Sequence, residues 1–411
     1  MSLATSPAES PPAATRASLR DVDVLIAGGG PVGAVALAAL AAAGIDAMLV
    51  EAAPALAEDL RASTFHPPTL EMLDELGLLA DLLPQGLKAP VYQYRVRSTG
   101  EVLAFDLSEL ADCTPYPFRL QCEQWKLTRL VASRLPDRVV LNHRVIHFVQ
   151  DRSGVTVNLE GPLAIETVRA QFLVAADGAN SLVRKWLGVQ FDGFTYPEKF
   201  LTLSTPEPID SHFDDLAYVN YVSDPQWWHV MLRVPDLWRV LVVADDAVPD
   251  SELLSDATKE RVFERLIGDP GVSTRHRTIY RVHQRVARRF DHGRVLLVGD
   301  AAHLNNPLGG LGMNSGIHDA MNLAGKLTLI LAGKGDPDEL LPRYGRQRRH
   351  VTRSFIQEQT RRNKAMIEAE ESARRPVFDE MARTLADPDR RRAYMHRQAM
   401  FASLEEAAAI A

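Results

Sequence analysis

The chain has 411 residues, 46% of them hydrophobic and 24% charged, with a formal net charge of −7. That length gives two domains or one elaborated α/β domain, and the mild acidity argues against the basic face that nucleic-acid binders carry. Two cysteines, Cys113 and Cys122, build no disulfide framework and lack metal-ligand spacing, so a reducing cytoplasm is expected.

The N-terminal stretch MSLATSPAESPPAATRAS is rich in Pro, Ala and Ser without a hydrophobic run. Residues 1–19 therefore read as a disordered leader, not a secretory signal. Next comes a short apolar strand, Val22 to Ala27, and then Gly28, Gly30 and Gly33 in G-x-G-x-x-G spacing. One glycine turns the chain tightly, one lets a pyrophosphate approach the backbone, and one lets a helix pack on the strand. The helix start offers unpaired N–H groups and a positive dipole end to phosphates, and Pro31 suits its first turn. The run GGGPVGAVALAALAAAGI reads as this helix and not as a membrane span, which takes about 20 strongly apolar residues. A second strand, AMLVE, ends at Glu51, placed where a carboxylate accepts ribose hydroxyls and repels a 2′-phosphate. The ordered set predicts dinucleotide binding; a glycine turn that binds nothing is the plainer alternative.

Further along, AQFLVAADGANSLVRKWLG gives a hydrophobic strand, an Asp177-Gly178 turn and a helix carrying Arg184. Three strands follow in DLAYVNYV, QWWHVMLRV and LWRVLVVAD, with turns at SDPQ and PD. Alternation puts Trp227, His229, Met231 and Arg233 on one face. That face offers His229 as a base and Arg233 as a carboxylate anchor, or packs Trp227 and Met231 into a core; the residues alone leave both open. Val295 to Val298 is another strand, running into Gly299, Asp300 and a loop rich in Gly, Pro and Asn. Residues 346–398 read as arginine-rich helices with solvated faces. The absence of a second strand-bound glycine fingerprint and of a C-x-x-x-x-C pair disfavours pyridine-nucleotide–disulfide reductases.

Together GGGPVG, ADGANSLVR and GDAAHLNNPLGGLGMN resemble, in order and separation, the three motifs of the class A flavoprotein aromatic hydroxylases, the p-hydroxybenzoate hydroxylase and phenol hydroxylase superfamily. The resemblance covers about residues 20–350. It implies an α/β fold: a Rossmann-like FAD-binding domain (20–89, 119–190 and 281–345), an inserted mixed β-sheet substrate domain (90–118 and 191–280) and C-terminal helices (346–411). Asp300 would hydrogen-bond the FAD ribityl or ribose hydroxyls, and Pro307 would lie near the reactive flavin edge. Backbone N–H groups around Gly312, Met313 and Asn314 would approach the pyrimidine end, where amide dipoles stabilise reduced, anionic flavin. Arg61 would lie near the adenosine or pyrophosphate. Gln124 matches a helix-start glutamine that contacts FAD, with Gln121 a competitor. Asp177 and Arg184 would hold the pyrophosphate region and receive NAD(P)H transiently.

The activity so implied is NAD(P)H- and O2-dependent hydroxylation of an electron-rich phenolic or hydroxypyridine-like ring through a C4a-hydroperoxyflavin. A group that removes or polarises the phenolic proton would accelerate it. His66, Tyr221 and His229 are the candidates, with Arg233 as anchor; a helix cap or surface site for His66 and core packing for Tyr221 are the plainer roles. Flavin halogenases and isoprenoid reductases share the fold, although QWWHVML lacks the halogenase W-x-W-x-I-P, and a catalytically silent FAD-binding protein is the non-enzyme alternative. Expected partners are a small aromatic substrate and O2, without nucleic acid or membrane, in a monomer or homodimer. The thioredoxin-like domain of longer members is not expected.

Overall fold

A computed structural model describes residues 19–411 apart from 59 and 61, so Arg61 and nearly all of the expected leader lie outside the described residues. The apolar run VDVLIA forms the strand Val22–Ala27, central in an eight-stranded sheet. Ala47–Glu51 pairs with it in parallel on one side and Ile165–Ala175 on the other. Val139–Leu141 and Val295–Leu297 extend the parallel set outward. Covered on both faces, such strands read as continuous hydrophobic runs. Because they run in one direction, Ala27, Glu51, Ala175 and Leu297 finish at the same edge, the edge at which open α/β sheets bind ligands.

Pro31–Ala42 and Leu311–Leu331 are the helices that start from this edge. They pack closely because small residues meet: a Cβ on Gly316 would fall 2.6 Å from Val32 Cγ2. The Ala-rich run is thus a 12-residue helix, and among the described residues no helix is long and apolar enough to cross a membrane.

The second sheet also has eight strands, with His303–Leu304, His276–Ala287, Phe191–Thr205, Leu237–Asp245, His229–Val234, Val219–Ser223, Val91–Val96 and Val102–Asp106 side by side in that order. The three strands expected after Asp177 are there, and the 90–118 segment adds two more. His276–Ala287 runs through position 280, where the sequence reading placed a domain boundary. Both faces of this sheet are buried. Met231, Trp238 and Val240 share a core with Phe263 of the helix Asp256–Ile267, whereas Tyr221, Val230 and Leu241 belong to a different cluster on the other side. A three-stranded sheet that the sequence reading did not foresee, Thr64–Phe65, Arg119–Gln121 and Leu87–Ala89, stands between the larger two.

The C-terminal helices do more than present solvated faces. Pro337–Val351 and Gln357–Glu368, joined by a π-helical turn at Thr352–Ile356, bury Tyr344, Arg348, Phe355 and Ile356.

Candidate active site

One continuous cavity of about 800 Å³ begins at the edge where the parallel strands end and reaches the second sheet. At its first end the chain turns through Gly28 at φ +107°, and a Cβ there would lie 2.3 Å from the Ala176 carbonyl oxygen. A Cβ on Gly33 would lie 2.0 Å from the Gly28 carbonyl oxygen, whereas one on Gly30 would meet nothing within 4 Å. Gly30 is the N-cap of Pro31–Ala42, and no side chain caps that helix. Its first N–H groups therefore face the cavity, an arrangement that suits a phosphate. Glu51 borders the same space; its carboxylate accepts from Gly29 N–H (2.7 Å) and Ala53 N–H (2.8 Å), holding the glycine turn against the second strand.

Asp177 and Asp300 line this half as well. Asp177 accepts from Val183 N–H at 3.2 Å, while its Oδ1 is buried without a protein partner. Burial raises its carboxyl above the usual carboxylate range, opposed by hydrogen bonds from Ser181 and Val183. Asp300 stands exposed to the cavity on the single turn Gly299–Ala301. Behind it, buried Asp319 accepts from Gly299 N–H (3.0 Å) and from Arg348 Nε–H (2.6 Å), with His303 Nε2 at 2.8 Å.

Arg184 is placed differently from expectation. In the five-residue helix Leu182–Trp186 it falls on the inner side, where it donates to the Ala301 (2.9 Å) and Ala179 (2.7 Å) carbonyls and lies 3.9 Å from the Phe191 ring centroid. It ties the Asp177 turn to the Asp300 turn, and Lys185 lines the cavity in its place. Of the two glutamines, Gln124 at the start of Gln124–Arg134 lines the cavity, and Gln121 is turned to Thr64 Oγ1 at 3.1 Å.

The loop after Asp300 forms the next stretch of wall through Asn305, Pro307, Leu308 and Gly310, continued by Gly312 and Met313. Gly310, at φ +68°, begins Leu311–Leu331, a second helix with no side-chain cap. Asn314 is fully buried as a brace: its side chain accepts from His66 N–H (2.9 Å) and donates to the Thr64 (2.8 Å) and Gly310 (2.7 Å) carbonyls. His66, expected as a base, is likewise buried outside the cavity lining, at the N-cap position of Pro67–Glu75 but without a side-chain capping bond. Its Nε2 lies 2.9 Å from the Gly309 carbonyl, and burial beside Arg119 pushes its imidazole well below the usual histidine range. It steadies the loop in neutral form.

At the far end the second sheet closes the cavity with Tyr221, Val230, Leu232, Leu241, Thr202, Arg239 and Tyr280. Tyr221 is where a candidate base was expected, stacked on Tyr94 at 5.2 Å. His229 and Arg233 are not. Since Val230 and Leu232 point to the cavity, the pleat sends residues 227, 229, 231 and 233 to the opposite face. There His229 lies tilted against Trp227, with ring centroids 4.5 Å apart, and Arg233 lies over Trp238 (5.7 Å).

Arg239, Tyr280 and Thr202 were missed. A lone arginine inside the apolar strand LWRVLVVAD was the available signal, because a buried charge is kept only where it has a partner or a task. Arg239 donates to Ser63 Oγ at 3.0 Å and to the Leu60 carbonyl, joining the sheet to the segment that leads into Thr64–Phe65. Burial raises the Tyr280 phenol above its ordinary range, opposed by nearby Arg239 and by Thr202.

These residues fit FAD. Two uncapped helix starts face one cavity, open space lies over Gly30, and Asp177 keeps an unpartnered oxygen beside that space.

A family model described as FAD binding domain matches residues 21–359. The chain is 34% identical over 371 residues to para-nitrophenol 4-monooxygenase of Pseudomonas sp. (strain WBC-3), covering 87% of this chain and 90% of that one. It is 33% identical over 345 residues to 6-hydroxy-3-succinoylpyridine 3-monooxygenase HspB of Pseudomonas putida (strain DSM 28022 / S16), covering 81% and 85%. The crystal structure of p-nitrophenol 4-monooxygenase PnpA from Pseudomonas putida DLL-E4 matches with a TM-score of 0.87 and 29% identity over 94% of this chain and 99% of that one.

Proposed function

This chain belongs to the FAD-binding-domain family of class A flavoprotein aromatic hydroxylases, and from that premise we propose that it uses NAD(P)H and O2 to hydroxylate a small phenolic or hydroxypyridine-like ring. One observation carries the reading: the cavity runs without interruption from the glycine turn to a chamber walled by aromatic and aliphatic side chains. The relatives named for para-nitrophenol and for 6-hydroxy-3-succinoylpyridine supply the two ring types.

Backbone groups at Gly30, Gly312 and Met313, with Glu51, Gln124, Asp177 and Asp300, would hold FAD. When bound, FAD supplies the hydride acceptor and the oxygen-activating centre. The chain's own residues do the rest. Val230, Leu232, Leu241 and Leu308 cover the ring faces and keep water from the reacting carbon. Arg239 puts positive charge at the chamber, which favours an ionised phenolic oxygen. Tyr280, held protonated at neutral pH, donates a hydrogen bond to that oxygen. Tyr221 offers a hydroxyl from the next wall. A ring carrying an ionised or strongly polarised oxygen is the electron-rich partner that electrophilic oxygen transfer requires.

The test is to follow NADH or NADPH oxidation and O2 uptake by the FAD-loaded protein with nitrophenols, hydroxybenzoates and hydroxypyridines. At least one ring should accelerate reductant oxidation and return a product one oxygen atom heavier. Substrate-independent oxidation with no oxygenated product from the whole panel would sink the reading.

A further inference from the structure

Arg119 has no task in the function above, and it is costly to keep. It is 1% exposed, its Nε and Nη1 are buried without a protein partner, and no carboxylate pairs with it among the described residues. Its Cζ lies 4.2 Å from the Tyr92 ring centroid. A buried charge so placed destabilises a fold, and an apolar side chain of similar volume would serve packing better. Its position in the three-stranded sheet says what it serves. Thr64 pairs with Gln121 and Phe65 with Leu120 in antiparallel register, so the next position sets His66 opposite Arg119. His66 is still extended, at φ −87° and ψ 158°. Alternation puts both side chains on the face where Thr64 Oγ1 meets the Gln121 side chain at 3.1 Å.

The pairing matters for where the imidazole carries its proton. The Gly309 carbonyl, 2.9 Å from His66 Nε2, can only accept, so Nε2 is the donor. Nδ1 is then the acceptor, buried without a partner beside the unpartnered donors of Arg119. The carbonyl belongs to the turn 307–310, closed by Gly310 N–H to the Pro307 carbonyl (3.0 Å) with Gly309 at φ +104°. Asn363 donates to the Leu308 carbonyl of the same turn at 3.2 Å, and Pro307 and Leu308 both wall the cavity. With the proton on Nδ1 instead, a lone pair would face the Gly309 carbonyl and the turn would lose that hold. A cation beside Nδ1 disfavours a proton there. We propose that Arg119 is a positioning residue for the hydroxylation: its charge keeps the His66 proton on Nε2 and so fixes the turn that sets Leu308 over the ring. The proposal rests on the reading of the cavity as the site of that reaction.

The experiment compares wild type with Arg119→Met and His66→Gln, singly and together. A glutamine amide keeps a fixed N–H donor for Gly309 and needs no cation to hold it. Arg119→Met should keep or raise the Tm of the apo-protein, while the product formed per reductant consumed falls about tenfold. Adding His66→Gln should restore most of that yield. Imidazole nitrogen NMR on apo-protein with isotope-labelled histidine reads the tautomer directly, and the signal lost in His66→Gln identifies His66. That signal should report Nε2–H alone in wild type and a mixture of tautomers in Arg119→Met. A pure Nε2–H signal in Arg119→Met, an undiminished product yield, or a loss that follows Tm and is not restored by His66→Gln overturns the role of Arg119. Wild-type protein without ring-dependent reductant oxidation overturns the proposed function instead, and the histidine spectrum still decides the pair.

Discussion

Gly30 and Gly33 stand three residues apart under opposite constraints. At Gly33 the Cβ would collide with backbone, 2.0 Å from the Gly28 carbonyl oxygen, whereas at Gly30 it would enter empty space. Gly33→Ala should therefore cost the apo-protein about 1–3 kcal/mol and abolish FAD uptake. Gly30→Ala should leave the apo Tm where it is and still weaken FAD, because its methyl occupies the ligand's side of the turn. Thermal melts of apo-protein beside FAD titrations separate the two, and a Tm loss at Gly30 matching that at Gly33 would contradict the assignment. Asp319 is the residue that holds Asp300 in place from behind. Asp319→Asn leaves Arg348 buried beside a neutral partner and should cost about 3–5 kcal/mol, read from urea melts. Asp319→Glu should recover less than half, since the buried site has no room for another methylene.

The strand His229–Val234 shows what could and could not be read from the sequence. Val22–Ala27 and Ala47–Glu51 were legible because an apolar run bounded by glycines has few other uses in a parallel sheet. The loop after Asp300 was legible from its glycines. The direction of His229 was not, and the reason is physical: alternation marks an inside face only when the other face meets water. Here Trp227 and Met231 enter a core beneath Asp256–Ile267 while Val230 and Leu232 wall a cavity, so both faces are apolar. In the same way, nothing in a helix of five residues told whether Arg184 or Lys185 would face the ligand. The parity is testable. Met231→Ala, in the packed face, should cost about 2–5 kcal/mol with little change in KM for the ring. Leu232→Ala should move KM and product distribution with a smaller loss of stability. Equal effects of the two changes would mean that the cavity wall has been put on the wrong side.

For the molecule as a whole, the histidines set the response to acid. Burial pushes His229 down to about 4 and His318 down to about 3, and holds His66 well below the usual range. An unfolded chain takes up these protons at about pH 6.5, so below that pH the unfolded state binds more protons than the native state. Stability therefore falls as pH drops from about 6.5, by up to about 1.4 kcal/mol per unit for each histidine. For His229 the fall ends near its folded value of about 4. Urea melts between pH 7 and 4 should show this slope, and His229→Gln should make it shallower; a slope unchanged in that variant would show His229 to be charged in the fold.

Among the described residues nothing divides the cavity into compartments, and this has a thermodynamic consequence. Whatever fills the first half becomes a wall of the second, so the two occupants cannot bind independently. If a substrate analogue tightens FAD binding by some factor, FAD must tighten the analogue by the same factor. Measuring both legs of that cycle gives the coupling without any turnover. A factor well above one, equal along both routes, is the expected result for a wall that two ligands complete together; independent binding would mean that a partition forms once the flavin is seated.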